Sequence, residues 1–464
     1  MLTAHLHSFL GARVSLRRQL MTTAVGSLAL ALSSKLLMLL TSVLLARWMG
    51  AENYGVYVTA MALVLLLAVP TGLGLPVLII RLLASYRVHE QWGLMRGLLT
   101  RGNQVVLWAS LLTVALAEGM IWLLSTNLSP DKLASFSLAL ILVPLTALGA
   151  MRSAALRGLH HVILGQLPES VIMPGLFLGL VGGWCLVNGD GVLSPEVAIS
   201  SRVIATGVAF LAGALLLMRR IPAPLRHAAP QYEPRRWMQS TLPLLLVACI
   251  NIVMMQTDVL MLAALHSSES AGIYQVAARA AELVAFSLVI VNMAIQPSIA
   301  RLFASGEMIR LQRIATLGAR AAVAVAFPLA LVMIFWGESI MTSVFGATFG
   351  RGAIALAILS GAQVINAATG SVSDLLNMTG HERDTMIGMI VGIVANVVLN
   401  FLFISMWDIA GAALATSVSL VLWNVVLVIQ VHRRIGLAAT AIGPFSFRKR
   451  KHNIESCVQS KCRT

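Results

Sequence analysis

Charge is what this sequence has least of. Of its 464 residues, 11% are Asp, Glu, Lys or Arg while 58% are hydrophobic. A soluble chain carries about 25% charged residues, so a soluble globular protein is excluded. Acids are scarcer than bases, 18 against 33, which leaves a net charge of +15. Cysteine is rare too. Cys185 and Cys249 fall within apolar runs, and Cys457 and Cys462 stand near His452 in a basic tail, where the spacing suits a metal poorly and reads as free thiols. Alternating apolar segments of ~10 residues are missing, which excludes a membrane β-barrel. No carboxylate pair, nucleophile–base set or phosphate-cradling loop is present, and the longest outward loop, 337–352, holds one Glu and one Arg. An enzyme is not expected, and no cofactor or metal is implied.

What is present is apolar length. Twelve runs long enough to cross a bilayer lie near 24–45, 55–84, 103–125, 133–156, 162–187, 196–218, 241–265, 271–300, 314–336, 353–377, 385–406 and 409–431. The fold class expected is an all-α polytopic membrane protein. Several runs contain proline (Pro70, Pro76, Pro144, Pro168, Pro174, Pro243, Pro297, Pro328), which membrane helices tolerate as packing kinks or use as gates.

The basic residues orient the chain. Three precede the first run (Arg13, Arg17, Arg18); four, two, five, three and one follow runs 2, 4, 6, 8 and 10; eight lie in the tail. The opposite loops hold only Arg47, Lys132 and Arg351. By the positive-inside rule both termini are cytoplasmic. The first 20 residues feed a full-length span and read as a signal anchor. The net charge belongs to this bias and to anionic headgroups, not to nucleic acid.

The chain also repeats itself. Gly55-Val56-Tyr57 matches Gly272-Ile273-Tyr274, and Arg81-Leu-Leu-Ala-Ser matches Arg301-Leu-Phe-Ala-Ser, with a weaker match of "ALRGLHH" at 155–161 to "NMTGHER" at 377–383. Six runs separate the copies, so the halves keep one orientation, an arrangement found in transporters. Expected boundaries are a cytoplasmic N-terminus 1–23, an N-lobe 24–218, a linker 219–240, a C-lobe 241–431 and a basic tail 432–464.

On these segments the chain resembles a family. "LLARWMGAENYGVYVTA" (44–60), "TDVLMLAALHSSESAGIYQVA" (257–277), "DLLNMTGHERDTMIG" (374–388) and "NVVLNFLFISMWDIAGAALATSVS" (396–419) are similar to segments of the polysaccharide transporter family, the Wzx-type flippases of the multidrug/oligosaccharidyl-lipid/polysaccharide exporter superfamily. The resemblance spans nearly the whole chain. It implies twelve helices in two six-helix lobes and alternating-access export of undecaprenyl-diphosphate-linked sugars across the bacterial plasma membrane. It also implies work beside a polymerase and glycosyltransferases.

That cargo needs a cationic, wet interior, and charges inside spans are costly enough to mark one. Four cations qualify: Lys35 and Arg279 first, then Arg202 and Arg320. Forked guanidinium donors suit a diphosphate. Plainer readings stay open: Arg279 can neutralise Glu282 three residues on, and Arg202 and Arg320 can snorkel. Lys35 lies in a strip with Ser27, Ser34 and Thr41. For ion coupling Asp258 leads, with Asp374 and Glu169 behind it, although a salt bridge from Asp258 to Arg279 is an equal alternative. Asn396 and Asn400, one helical turn apart, face either the cargo cavity or a neighbouring helix. Two rivals share the superfamily. A drug exporter should favour acids in its cavity, and a peptidoglycan-precursor flippase typically adds two helices.

Overall fold

The computed structural model describes residues 2–123, 129–189 and 192–443. The tail with His452, Cys457 and Cys462 lies outside the described residues, as do the side chains of Arg13, Arg17, Arg18 and Ser27. No strand occurs among the described residues. In the first half the helices are α1 (Leu2–Thr71), α2 (Leu75–Val88), α3 (Trp92–Leu123), α4 (Pro130–Leu140), α5 (Leu142–Gly158), α6 (Val162–Leu167), α7 (Met173–Asn188), α8 (Pro195–Arg220) and the short α9 (Ala223–His227). Then come α10 (Pro234–Leu265), α11 (Ser268–Ala304), α12 (Met308–Phe335), α13 (Gly337–Ile340), α14 (Ala353–Thr369), α15 (Val372–Met378) and α16 (Glu382–Ile435). Two π-helical turns, Pro168–Ile172 and Met341–Phe345, interrupt this series.

Ten helical stretches among the described residues are long and apolar enough to cross a membrane, three of them (Pro130–Gly158, Val162–Asn188 and Ala347–Thr369) built from consecutive elements. Two of them each hold two of the expected runs, which accounts for all twelve. In α1 the junction is a single residue, Gly50, at φ 72° and ψ 175°. In α16 it is Asp408, at φ 49° and ψ −124°. Positive φ comes easily to glycine and rarely to aspartate, and Asp408 is held from outside its helix, with Arg351 Nη2 at 3.6 Å and His266 Nδ1 at 3.4 Å. Other runs break where the sequence removes a backbone donor or supplies a glycine. The run 55–84 splits at Gly72-Leu73-Gly74 before Pro76, and the run 353–377 splits at Gly370, with φ 73°.

Lipid solvation explains the inverted surface. On α3, Trp108, Leu112, Leu116, Met120 and Trp122 are all exposed. An apolar side chain facing hydrocarbon needs no burial in protein.

Two compact units can be distinguished. The first comprises Met1–Ala280, Ile334–Leu359 and Ile393–Thr416. Its core gathers Leu78, Ile79, Leu83, Met95 and Met151, with Trp237 Nε1 donating to Tyr86 Oη at 3.1 Å. Here the repeated glycines meet. A Cβ on Gly272 would stand 2.8 Å from Gly55 N, and one on Gly55 would collide with the Ser268 carbonyl oxygen. Small residues at such a crossing let membrane helices touch backbone to backbone. The second unit comprises Ala281–Met333, Ser360–Gly392 and the described residues from Ser417 onward. Its core includes Ile299, Leu311, Leu375, Leu376 and Leu427.

Candidate functional site

Asp258, on α10, is 7% exposed and lies entirely within the first unit. Its Oδ1 accepts from Asn396 Nδ2 at 2.9 Å and Asn400 Nδ2 at 2.6 Å. Its Oδ2 accepts from Tyr274 Oη and Thr416 Oγ1, both at 2.8 Å. The spacing explains the convergence: Asn396 and Asn400 are four apart on one face of α16, while Thr416 follows the Asp408 bend and so returns to the same level. These four donors satisfy both oxygens of the carboxylate. Asn396 Oδ1 and Asn400 Oδ1 are buried and accept no hydrogen bond. A buried carboxylate beside two unsatisfied amide oxygens, a hydroxyl and a phenol is an oxygen-rich donor set of the type hard cations take.

A second polar site in the same unit involves a residue that sequence reasoning missed. Arg152, counted among the cytoplasmic loop cations after run 4, instead lies inside α5 and is 5% exposed. Its Nη1 donates to the carbonyls of Ala209 (3.1 Å) and Phe210 (2.8 Å), and its Nη2 to Glu169 Oε1 at 3.1 Å. Its Nε is buried without a partner. The π-helical turn Pro168–Ile172 carries Glu169. Proline there supplies no backbone donor, and such turns recur at functional sites. Gly213 opens the space: a Cβ on it would overlap the Arg152 guanidinium. Arg202, on α8, stacks its guanidinium over Phe177 at 5.2 Å, and Phe177 stacks in turn on Tyr57. Arg152, Glu169, Arg202, Thr146 and Thr206 line one cavity of about 270 Å³, whose other walls include Met61, Leu65 and Phe210. The signal for Arg152 was its position, more than a turn inside the end of an apolar run.

The remaining predicted residues are spread out. Lys35 is exposed on α1. Arg279 is half-buried on α11, and the Gln275 amide, oriented with its oxygen toward it, accepts from its Nε at 2.9 Å and Nη2 at 3.0 Å. In the second unit, Asp374 Oδ1 accepts from Gln296 Nε2 at 2.9 Å, and exposed Arg320 donates from Nε to the Ala441 carbonyl at 2.9 Å. Asn424, in that unit, donates to Asn366 Oδ1 and accepts from Thr369 Oγ1, each at 3.0 Å.

A family model described as "Polysaccharide biosynthesis protein" matches residues 23–303, more than half of the chain, and the MatE family model matches residues 243–402. No curated protein matches. Among solved structures, an inward-facing multidrug resistance MATE family transporter of the MOP superfamily is similar at a TM-score of 0.71 and 14% identity, covering 89% of this chain and 98% of that one. The lipid II flippase MurJ in an inward closed conformation is similar at 0.67 and 15%, covering 87% of each. A MOP superfamily transporter from Pyrococcus furiosus, whose binding pocket is described as of reverse polarity, is similar at 0.60 and 13%, covering 89% and 96%. At such identities the likeness shows the fold: that of a two-lobed, multi-pass membrane transporter.

Proposed function

The chain belongs to the polysaccharide biosynthesis protein family, and from that premise we propose that it is a cation-coupled flippase for a polyprenyl-diphosphate-linked oligosaccharide, working by alternating access in the bacterial plasma membrane with both termini cytoplasmic. The observation that carries this reading is the polarity of the α5–α8 cavity, where two guanidinium groups, Arg152 and Arg202, stand against one carboxylate. A cavity with that balance favours an anionic head over a cationic drug, because a charge of the wrong sign is expensive inside a membrane protein. Lys35 and Arg279 are further candidates for the diphosphate, and Arg320, exposed and tied to a backbone carbonyl, ranks below them.

Asp258 supplies the coupling. A charge buried at this site is costly. A proton or Na⁺ entering among Asp258, Asn396, Asn400, Tyr274 and Thr416 removes that cost and ties α10, α11 and both arms of α16 together. Release loosens the same segments. In this scheme Asn396 and Asn400 serve the cation rather than the cargo, and Asp374 is secondary. A polymerase and glycosyltransferases are the expected neighbours in the pathway.

The test is a mass-spectrometric profile of lipid-linked oligosaccharides in cells with and without the chain, with leaflet access read by a membrane-impermeant glycosidase. Accumulation of a cytoplasm-facing glycan-diphosphate lipid in the deletion is the expected result. An unchanged profile with altered sensitivity to cationic compounds would support the multidrug exporter reading instead, and accumulated peptidoglycan precursor would identify a precursor flippase.

A further inference from the structure

We propose that Glu169 is a built-in stand-in for an anionic ligand, occupying on Arg152 the seat that a phosphate group takes when it enters the α5–α8 cavity, with Arg202 as the second clamp. The identification of that phosphate with the head of the cargo rests on the flippase reading; the seat itself follows from the cavity.

The contact between Arg152 and Glu169 is loose on the acid's side. A guanidinium has five N–H donors in a fixed fork and binds a carboxylate best through two parallel bonds. Here Glu169 receives one, at 3.1 Å, while Nε of the same group remains buried and unpartnered. Arg152 is anchored on its other edge by the two α8 carbonyls and cannot follow a departing partner. Glu169, with a side chain 45% exposed against 5% for Arg152, can swing away.

The seat is shaped for the guanidinium. Gly213 leaves the volume that the Arg152 head fills, and Gly149 lets Glu169 Oε1 approach to 3.2 Å of where a Cβ would be. Across the cavity Arg202 is held by its ring contact with Phe177 and makes no side-chain hydrogen bond to any described residue. Its donors are available. At about 270 Å³ the cavity falls just below the ~300–1,000 Å³ typical of sites for drug-sized ligands, so it takes one compact group. A phosphate oxyanion matches that size, and two of its oxygens suit the planar fork of a guanidinium. While Glu169 sits on Arg152 the three side chains carry one net positive charge. When a phosphate displaces it, both arginines face the ligand, and the displaced carboxylate keeps a route back that ejects the ligand.

The experiment titrates the purified full-length chain in detergent by calorimetry with three probes: inorganic pyrophosphate, a polyprenyl diphosphate and phosphatidylglycerol. Wild type, Glu169→Gln and the double variant Arg152→Gln/Glu169→Gln are compared, with thermal unfolding confirming that each is folded. The double variant removes both charges together, so it avoids leaving Glu169 without its ion-pair partner. Glu169→Asp, which draws the carboxylate back from Arg152 by one methylene, serves if the Gln variant does not fold. The prediction is that Glu169→Gln binds at least one probe about tenfold more tightly than wild type and that the double variant loses the gain. A gain with pyrophosphate shows that phosphate suffices, a gain with polyprenyl diphosphate alone assigns the seat to a lipid-borne diphosphate, and a gain with phosphatidylglycerol alone assigns it to a membrane headgroup. Equal or weaker binding of every probe by Glu169→Gln overturns the proposal, as does a gain that survives in the double variant. If Glu169→Gln tightens pyrophosphate binding while deletion cells accumulate no lipid-linked oligosaccharide, the seat stands and the cargo reading fails. The converse pair of results removes the seat alone.

Discussion

Four hydrogen bonds meet the carboxylate of Asp258. Asp258→Asn keeps the shape and removes the charge, so it should fold, with a thermal midpoint near wild type, yet transport at least about tenfold more slowly under a cation gradient. Retained gradient-driven transport in this variant would remove Asp258 from the coupling role. Truncating Asn400, fully buried and 2.6 Å from the acid, to Ala should instead cost stability, roughly 1–3 kcal/mol for a partner lost from a buried charge, measured by thermal unfolding in detergent. At this scale the sequence was half legible. Asp258 stood out as an acid in an apolar run, and Asn396 and Asn400 as amides one turn apart. Nothing in their spacing joins positions 138 and 142 residues distant, because that meeting depends on how α10 and α16 pack. Arg152 was lost for a related reason: with Arg157 close by, it read as part of a cytoplasmic loop.

Among the elements, those that matter most are interrupted ones. The π-helical turn at Pro168 re-aims Glu169, and the bend at Asp408 brings Thr416 back beside Asn396 and Asn400. Where α1 meets the start of α11, the paired glycines act as one device. Gly272→Ala should lower stability by roughly 1–3 kcal/mol through overpacking, read as a fall in thermal midpoint, since the clashing atoms are backbone and cannot rotate aside. The α5–α6 connection carries a pH response. Burial, then the nearby Arg220, Arg87 and His160, hold the His161 imidazole below its ordinary value of 6.5. Protonation therefore favours the unfolded chain: this group costs nothing well above pH 6.5 and costs stability as pH falls below it. His161→Gln should flatten that part of the stability profile. Helix existence was legible because apolar length is a direct requirement of the bilayer. The junctions were not, because Gly50 and Asp408 each change direction within one residue.

Across the whole molecule, few charges stand among long apolar helices. The halves repeat in sequence at Gly-x-Tyr, but their chemistry has diverged. Tyr274 faces the carboxylate of Asp258, whereas Tyr57 stacks on Phe177, over which Arg202 lies. Under the proposed function, one copy would serve a cation and the other an anion, a division of labour that suits a transporter using one ion's gradient to move an oppositely charged cargo. The most direct test is reconstitution of the purified chain into vesicles with a fluorescent polyprenyl-diphosphate sugar, its leaflet read by membrane-impermeant quenching. The account predicts translocation that rises with an imposed Na⁺ or proton gradient and is lost in Asp258→Asn. Translocation indifferent to both gradients and to that substitution would contradict it.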